Sequence, residues 1–355
     1  MRYGNATAFR QALEERLKTR AHGDGAQLAR DRKRVVFDRL LARLLAVAPG
    51  RWLLKGGFAL ELRLAGRARA TKDVDIDWQA DEELLLDTLI DAATHDPGDY
   101  FTFTIERTGA PEDRLGGSHR FRVSASLAGR QFETFLLDVG FRRDEDVTAD
   151  TLTTEALLGF ADIPPVEVLA VPLEIQIAEK LHAYTRTYEG GRPSTRAKDL
   201  VDLALIATNS TLDAALLRMA IDRAFTRRTT HPLPTALPQP PGDWASQYRR
   251  LAQEVGAPAD LDAGYADASA FLAPILSGET TNGLEPPRAG SGYKSPRSRP
   301  LPNVSRPTDA FRHSSPRVPE SARIADNPRA SGPLSVVAVA GKAPANRAIT
   351  AENPR

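Results

Sequence analysis

The chain predicts an α+β protein, with a mixed sheet carrying its chemistry in the first half and a run of helices behind it. Three observations point there. Asp73, Asp75 and Asp77 alternate with Val74 and Ile76, the period of a strand with its carboxylates on one side and its apolar residues on the other. The segments FTFTIER, HRFRVSASL and QFETFLLDVGF alternate in the same way, and Ala128-Gly129-Arg130 joins the last two as a hairpin, so the sheet is mixed. Beyond Pro172 the apolar spacing changes to three and four, the helical period.

In chain order, residues 5–48 are helical in pattern, with Phe37, Leu40, Leu41, Leu44 and Leu45 forming an apolar stripe that packs on the sheet. Trp52 to Lys55 reads as a short buried strand, Gly56 and Gly57 as a tight turn, and Phe58 to Leu64 as the first turns of a helix. The aspartate strand follows, then a helix over 81–94 and the three alternating strands. Helices are expected over 173–188, 195–207 and 212–227, with two more between 243 and 276 after the proline-rich loop HPLPTALPQPPGD. From about Gly278 proline, serine, glycine and arginine dominate and periodicity vanishes, the composition of a disordered tail. The expected division is an N-terminal helical segment over 1–48, a catalytic domain over 49–165, a helical domain over 166–277 and the tail over 278–355.

Composition narrows the class. A net charge of +1 over 355 residues gives no whole-protein field for attracting nucleic acid, which leaves only local basic patches. The absence of cysteine excludes disulfides, thiolate metal sites and cysteine nucleophiles. No N-terminal stretch resembles a signal peptide, and no apolar run is long enough to span a bilayer, so a cytoplasmic enzyme is expected.

The aspartate strand carries the chemistry. Adjacent carboxylates repel unless a cation neutralises them, which suits a hard divalent metal. An EF-hand calcium loop is disfavoured, because its glycine and its twelfth-position glutamate are replaced by Trp78 and Leu84. The glycine turn ahead of the strand aims backbone N–H groups and a helix dipole at whatever lies beside the aspartates, an arrangement suited to a polyphosphate. Lys55, Arg69 and Lys72 flank the strand as candidate contacts to phosphate or acceptor. Asp138 ends the apolar strand FLLDV, where a carboxylate needs a partner, either a shared ion or a neighbouring arginine.

KGGFALELR followed by RATKDVDID resembles the first motif of the polymerase-beta-like nucleotidyltransferases, and most closely the AbiEii branch of abortive-infection and toxin–antitoxin toxins. LLDVGF, with Asp138, falls where that family carries its third carboxylate, and IAEKLHAY with STRAKDLVDLALI resembles its helical motifs. The likeness covers about residues 5–275. It implies a polymerase-beta-like core that transfers a nucleoside monophosphate from a nucleoside triphosphate to an acceptor hydroxyl, with RNA, in particular the 3′ end of tRNA, as acceptor. It further implies an antitoxin as partner, Lys180 as a phosphate contact, and a functional aspartate that is either Asp199 or Asp202. Phosphoryl chemistry then calls for two Mg²⁺ ions, with Asp73 and Asp75 as ligands, Asp138 as third ligand and candidate base, and Asp77 in support. Read as surface chemistry alone, Lys198 and Asp202 are spaced as an ordinary i,i+4 ion pair, and His182 as a packing residue. Two other readings stand beside this one: modification of a small molecule or protein by the same chemistry, and a nucleotide-binding regulator without turnover.

Overall fold

In the computed structural model, which describes residues 1–65, 67–108, 118–141, 148–186 and 196–278, the N-terminal helical stretch is broken in two. Helix α1 (Ala6–Ala21) starts on Asn5, whose side chain accepts from the Ala8 N–H, and ends where His22 and Gly23 turn left-handed. Asp24 then caps α2 (Gly25–Val47) by accepting from the Ala26 and Gln27 N–H groups. A cap residue placed just after two left-handed residues makes a turn here more favourable than a continuous helix. The proposed disordered tail from 279 onward lies outside the described residues, as do the expected helix ends at 188 and 195.

Among the described residues seven strands form one sheet: β1 (Trp52–Lys55), β2 (Asp73–Trp78), β3 (Phe101–Arg107), β4 (His119–Leu127), β5 (Arg130–Phe141), β6 (Asp150–Thr153) and β7 (Glu167–Ala170), in the order β3-β4-β5-β2-β1-β7-β6. β2 runs parallel to β5 and β1 parallel to β7, while the other neighbours are antiparallel. The sheet is mixed as expected, but β6 and β7 were not anticipated. Four residues each are too few to display a period.

Pleating separates the aspartates from the core. Val74, Ile76 and Trp78 on β2 and Leu137 and Val139 on β5 are buried with Phe37, Leu41 and Leu44 of α2 and Leu89 of α4 (Glu83–Thr94). The Phe37 ring stands edge-on to Phe58 at 5.0 Å and to Phe135 at 4.9 Å, which locks α2 to the sheet. The aspartates therefore face the opposite side.

Helices α5 (Leu173–Thr185), α6 (Ala197–Asn209), α7 (Ala214–Arg228), α8 (Ala245–Gln253) and α9 (Leu261–Leu276) pack into a second core. Their core, with Ile177, Leu181, Leu200, Leu217, Tyr248 and Leu272, also takes in Leu60 and Leu64 from α3 (Gly56–Arg63) and the residues just after it. Phe58 and Ala59 of the same short helix belong to the sheet core. Helix α3 is thus shared between two cores, and its Arg63 adds a polar tie: the buried guanidinium donates to Gln176 Oε1 at 2.6 Å, Asp150 Oδ2 at 2.7 Å and the Val171 carbonyl at 2.5 Å. No helix among the described residues is long and apolar enough to cross a membrane.

Candidate active site

Four charged residues form one row across the sheet. Lys55 on β1 pairs with Asp75 on β2, Asp75 with Asp138 on β5, and Asp138 with Arg120 on β4. Residues directly opposite in a sheet project to the same face, so the row reads cation, carboxylate, carboxylate, cation. Asp73 lies two residues along β2 on that face, opposite Leu136, and Asp77 lies two residues the other way, opposite Gly140.

The glycine turn presses on this row. Gly56 has φ +67, and a β-carbon built on it would lie 2.0 Å from Asp75 Oδ2. Only glycine lets the carboxylate rest against the start of α3. Gly57 follows beside Thr71, whose Oγ1 donates to the Asp73 carbonyl at 3.1 Å. Lys55 donates to the buried Asp77, and the missing side chain of Gly140 makes room, since a β-carbon there would stand 2.6 Å from Lys55 Nζ. Burial disfavours the Lys55 charge, but Asp77, then Glu179 and Asp75, outweigh it and hold the pKa above its ordinary value.

The carboxylates feel one another. Burial pushes Asp75 up to about 6, with Lys55 opposing and Asp138 and Asp73 adding to the rise. Asp73 is raised for the same reasons, burial first and Asp138 second, with Arg120, Lys198 and Lys33 opposing. Arg120 donates to Asp138 through Nε to Oδ1 and a terminal nitrogen to Oδ2, each at 2.6 Å. Of the two partners the sequence left open for Asp138, an arginine is the one in contact. As the side chains stand, no three His, Cys, Asp or Glu among the described residues close on one point as an ion-holding group. The donor set nevertheless suits a hard divalent cation: all oxygen, all on one face, and destabilised by mutual repulsion.

Lys180 of α5, within electrostatic reach of Asp75, is buried and donates to Asp202 of α6 at 2.6 Å. Arg69, from the loop between α3 and β2, donates to both oxygens of the same carboxylate at 3.1 and 3.2 Å. Burial alone would raise the Asp202 pKa, but Lys180 and Arg69 together hold it below the ordinary carboxylate range. Asp199 stands farther from Lys180, at 3.6 Å, and pairs with Arg196 at 3.2 Å. Asp202 is therefore the hub of this side. The i,i+4 pair expected between Lys198 and Asp202 does not form: Asp202 has no exposed surface and turns inward, whereas Lys198 is exposed. Lys72 is likewise exposed, at the edge of β2. His182 packs edge-on against Phe225 at 5.0 Å, in a core role.

Two residues were missed. Gln176, one turn before Lys180, donates to the Gly56 carbonyl at 2.9 Å while accepting from Arg63, and so fixes α5 against the glycine turn. Its signal was present, a polar residue on a buried helical stripe. Arg120 was the other, hidden by a register shift.

A cavity of about 660 Å³ lies elsewhere, between α2, α3 and the residues after β6, lined by Arg20, Arg34, Asp38, Phe58, Glu61 and Glu155 among others. It holds none of the carboxylates of the row. Its charges largely satisfy one another, with Arg34 bonded to Asp31, Glu61 and Glu155 and Arg20 to Asp31 and Glu155.

A family profile described as "Nucleotidyl transferase AbiEii toxin, Type IV TA system" matches residues 39–282. Among solved structures, the nucleotidyltransferase toxin MenT4 from Mycobacterium tuberculosis H37Rv is similar with a TM-score of 0.52 at 22% identity, over 74% of this chain and 89% of that one. JHP933 from Helicobacter pylori is similar with a TM-score of 0.37 at 16% identity, over 70% of this chain and 93% of that one. No curated protein sequence matches the chain. The likeness to MenT4 shows a shared fold.

Proposed function

The chain belongs to the AbiEii family of nucleotidyltransferase toxins of toxin–antitoxin systems, and from that premise we propose that it transfers a nucleoside monophosphate from a nucleoside triphosphate to a hydroxyl of RNA, at the 3′ end of tRNA, in the cytoplasm. The observation that carries the reading is the register of Asp75 with Asp138 on neighbouring parallel strands, under the Gly56 turn and facing Lys180. Asp73 and Asp75 are the residues that would hold Mg²⁺, with Asp138 completing the set. Bound there, two ions would neutralise the polyphosphate and lower the pKa of the attacking hydroxyl.

The chain's own residues do the rest. Lys180 presents an ammonium whose position Asp202 fixes, suited to phosphate oxygens. Asp202 acts as a positioning residue, orienting Lys180 and Arg69 together, and Asp199 supplies a second, weaker counter-charge. Lys55 neutralises the row from behind through Asp77, while exposed Lys72 is placed for an incoming phosphate at the mouth. Gly56 and Gly57 let polyphosphate approach the start of α3. A toxin of this class has a cognate antitoxin, whose gene is expected beside this one.

Incubating the purified protein with Mg²⁺, each α-labelled triphosphate and either total tRNA or total protein tests the proposal. Label on tRNA, lost in Asp75→Asn, is the expected result. Label on protein or on a small molecule instead would overturn the RNA assignment.

A further inference from the structure

Asp138 has neighbours of opposite sign on its two flanks. Asp75 faces it from β2 and Arg120 from β4, in direct register. That register depends on a bulge: opposite Ala125/Ser126 the hairpin gains one residue on β5, which moves the partner of Asp138 from His119 to Arg120. The fold thereby sets a planar two-pronged donor against a carboxylate at the catalytic row, and both prongs are used at 2.6 Å.

The pair is partly open to solvent rather than sealed in the core, with the Arg120 side chain 37% exposed and that of Asp138 23%. An ion pair so open to solvent contributes little to stability and exchanges readily. This sets it apart from Arg63 with Asp150 and Arg43 with Asp99, whose guanidinium groups are sealed in. Arg120 also lies within electrostatic reach of Asp73, so it serves the whole carboxylate group. A divalent ion drawn to Asp73 and Asp75 meets a third carboxylate whose oxygens are already covered.

Resting on the reading of Asp73 and Asp75 as metal ligands, we propose that Arg120 is an exchangeable counter-cation: it covers Asp138 until a divalent ion competes for that carboxylate, and its freed guanidinium then binds a phosphate of the triphosphate. The planar fork that grips a carboxylate in two places grips a phosphate in the same way. Arg120 thus neutralises Asp138 when the site is empty and becomes a substrate contact when it is loaded.

Mn²⁺ titration of the full chain without nucleotide, followed by loss of the free-ion paramagnetic resonance signal, tests the exchange. Arg120→Ala is expected to bind Mn²⁺ about fivefold more tightly than the parent, the size of an exposed pair's contribution. Arg120→Lys, which keeps the charge without the fork, is expected in between and carries the comparison if the alanine variant fails to fold by circular dichroism. Asp138→Asn should bind more weakly, and adding Arg120→Ala to it should restore nothing. With saturating Mn²⁺, a non-hydrolysable triphosphate should bind Arg120→Ala less tightly than the parent. Unchanged or weaker Mn²⁺ binding in both Arg120 variants overturns the exchange. The metal reading fails separately, and the exchange with it, if the parent binds no Mn²⁺ or if Asp75→Asn binds it as the parent does.

Discussion

Lys180 on α5 donates to Asp202 on α6 at 2.6 Å, and the carboxylate that receives it has no exposed surface. A lysine and an aspartate on different helices, with Arg69 closing on the same oxygens, form a buried network in which neither charge is tolerable without the other. The pair fixes where the ammonium stands and joins the α5–α6 pair to the loop that leads into the aspartate strand.

Removing the hub leaves two buried cations short of their acceptor. Asp202→Ala is expected to destabilise the protein by about 3 kcal/mol, the low end for a broken buried pair because Asp199 remains 3.6 Å from Lys180. Urea denaturation followed by circular dichroism measures this, and a loss under about 1 kcal/mol would mean that Lys180 finds solvent instead. The pH sign follows from the depressed carboxylate pKa. The contribution of Asp202 is full above its unfolded value of about 3.9 and is lost as pH falls through the lower folded value.

Asp75 has the opposite sign. Its folded pKa is raised to about 6, so between the unfolded value, about 3.9, and 6 the folded state holds a proton that the unfolded state has released. Stability therefore falls with rising pH across that window, and the penalty is complete above it. Asp75→Asn removes the penalty: its melting temperature is expected to exceed the parent's by about 4 °C at pH 7.5 and to match it near pH 4. Mg²⁺ should raise the melting temperature of the parent and not of the variant. A variant less stable than the parent at pH 7.5 would show that the carboxylate is well solvated or paired.

Parts of this site could be read from the chain because their signal is local. Asp73, Asp75 and Asp77 sit in one contiguous strand, where a period of two fixes the shared face, whereas the helix expected from Phe58 already starts at Gly56 and takes in both glycines. What could not be read depends on distant geometry. Counting back from Ala128–Gly129 without the bulge pairs Asp138 with His119, so Arg120 was invisible. Spacing alone pairs Lys198 with Asp202, but packing turns Asp202 inward to residues 22 and 133 positions away. The turn at His22–Gly23 was legible in principle, since a glycine followed by a capping aspartate marks a helix boundary.

Gln176 makes a prediction about positioning. Its amide donates to the Gly56 carbonyl and accepts from Arg63, so Gln176→Leu keeps the bulk and loses both bonds. A stability loss of about 1–3 kcal/mol is expected from the less satisfied Arg63. The maximal transfer rate should fall while Mn²⁺ affinity holds, because α5 shifts against the turn and the carboxylates do not. A fall in Mn²⁺ affinity of the same size as the rate loss would place Gln176 at the ion site instead.

Gly56 is where the backbone and the chemistry make incompatible demands on any other residue. Its φ of +67 disfavours a side chain, and a β-carbon would come within 2.0 Å of Asp75 Oδ2, far inside contact distance. Backbone strain alone costs about 1–2 kcal/mol, which a chain of this size survives. The steric term acts elsewhere, on a carboxylate already pressed by burial and by Asp73 and Asp138, which must swing away from the turn. Gly56→Ala should therefore fold, melt a few degrees lower, and transfer nucleotide about 100-fold more slowly, the scale of an ångström's misplacement at a reacting centre. Asp75→Glu in the same background moves the carboxylate farther out and should not recover the rate. If Gly56→Ala retained near-parent transfer in the labelled-nucleotide assay, Asp75 could not be working from the position the glycine turn gives it.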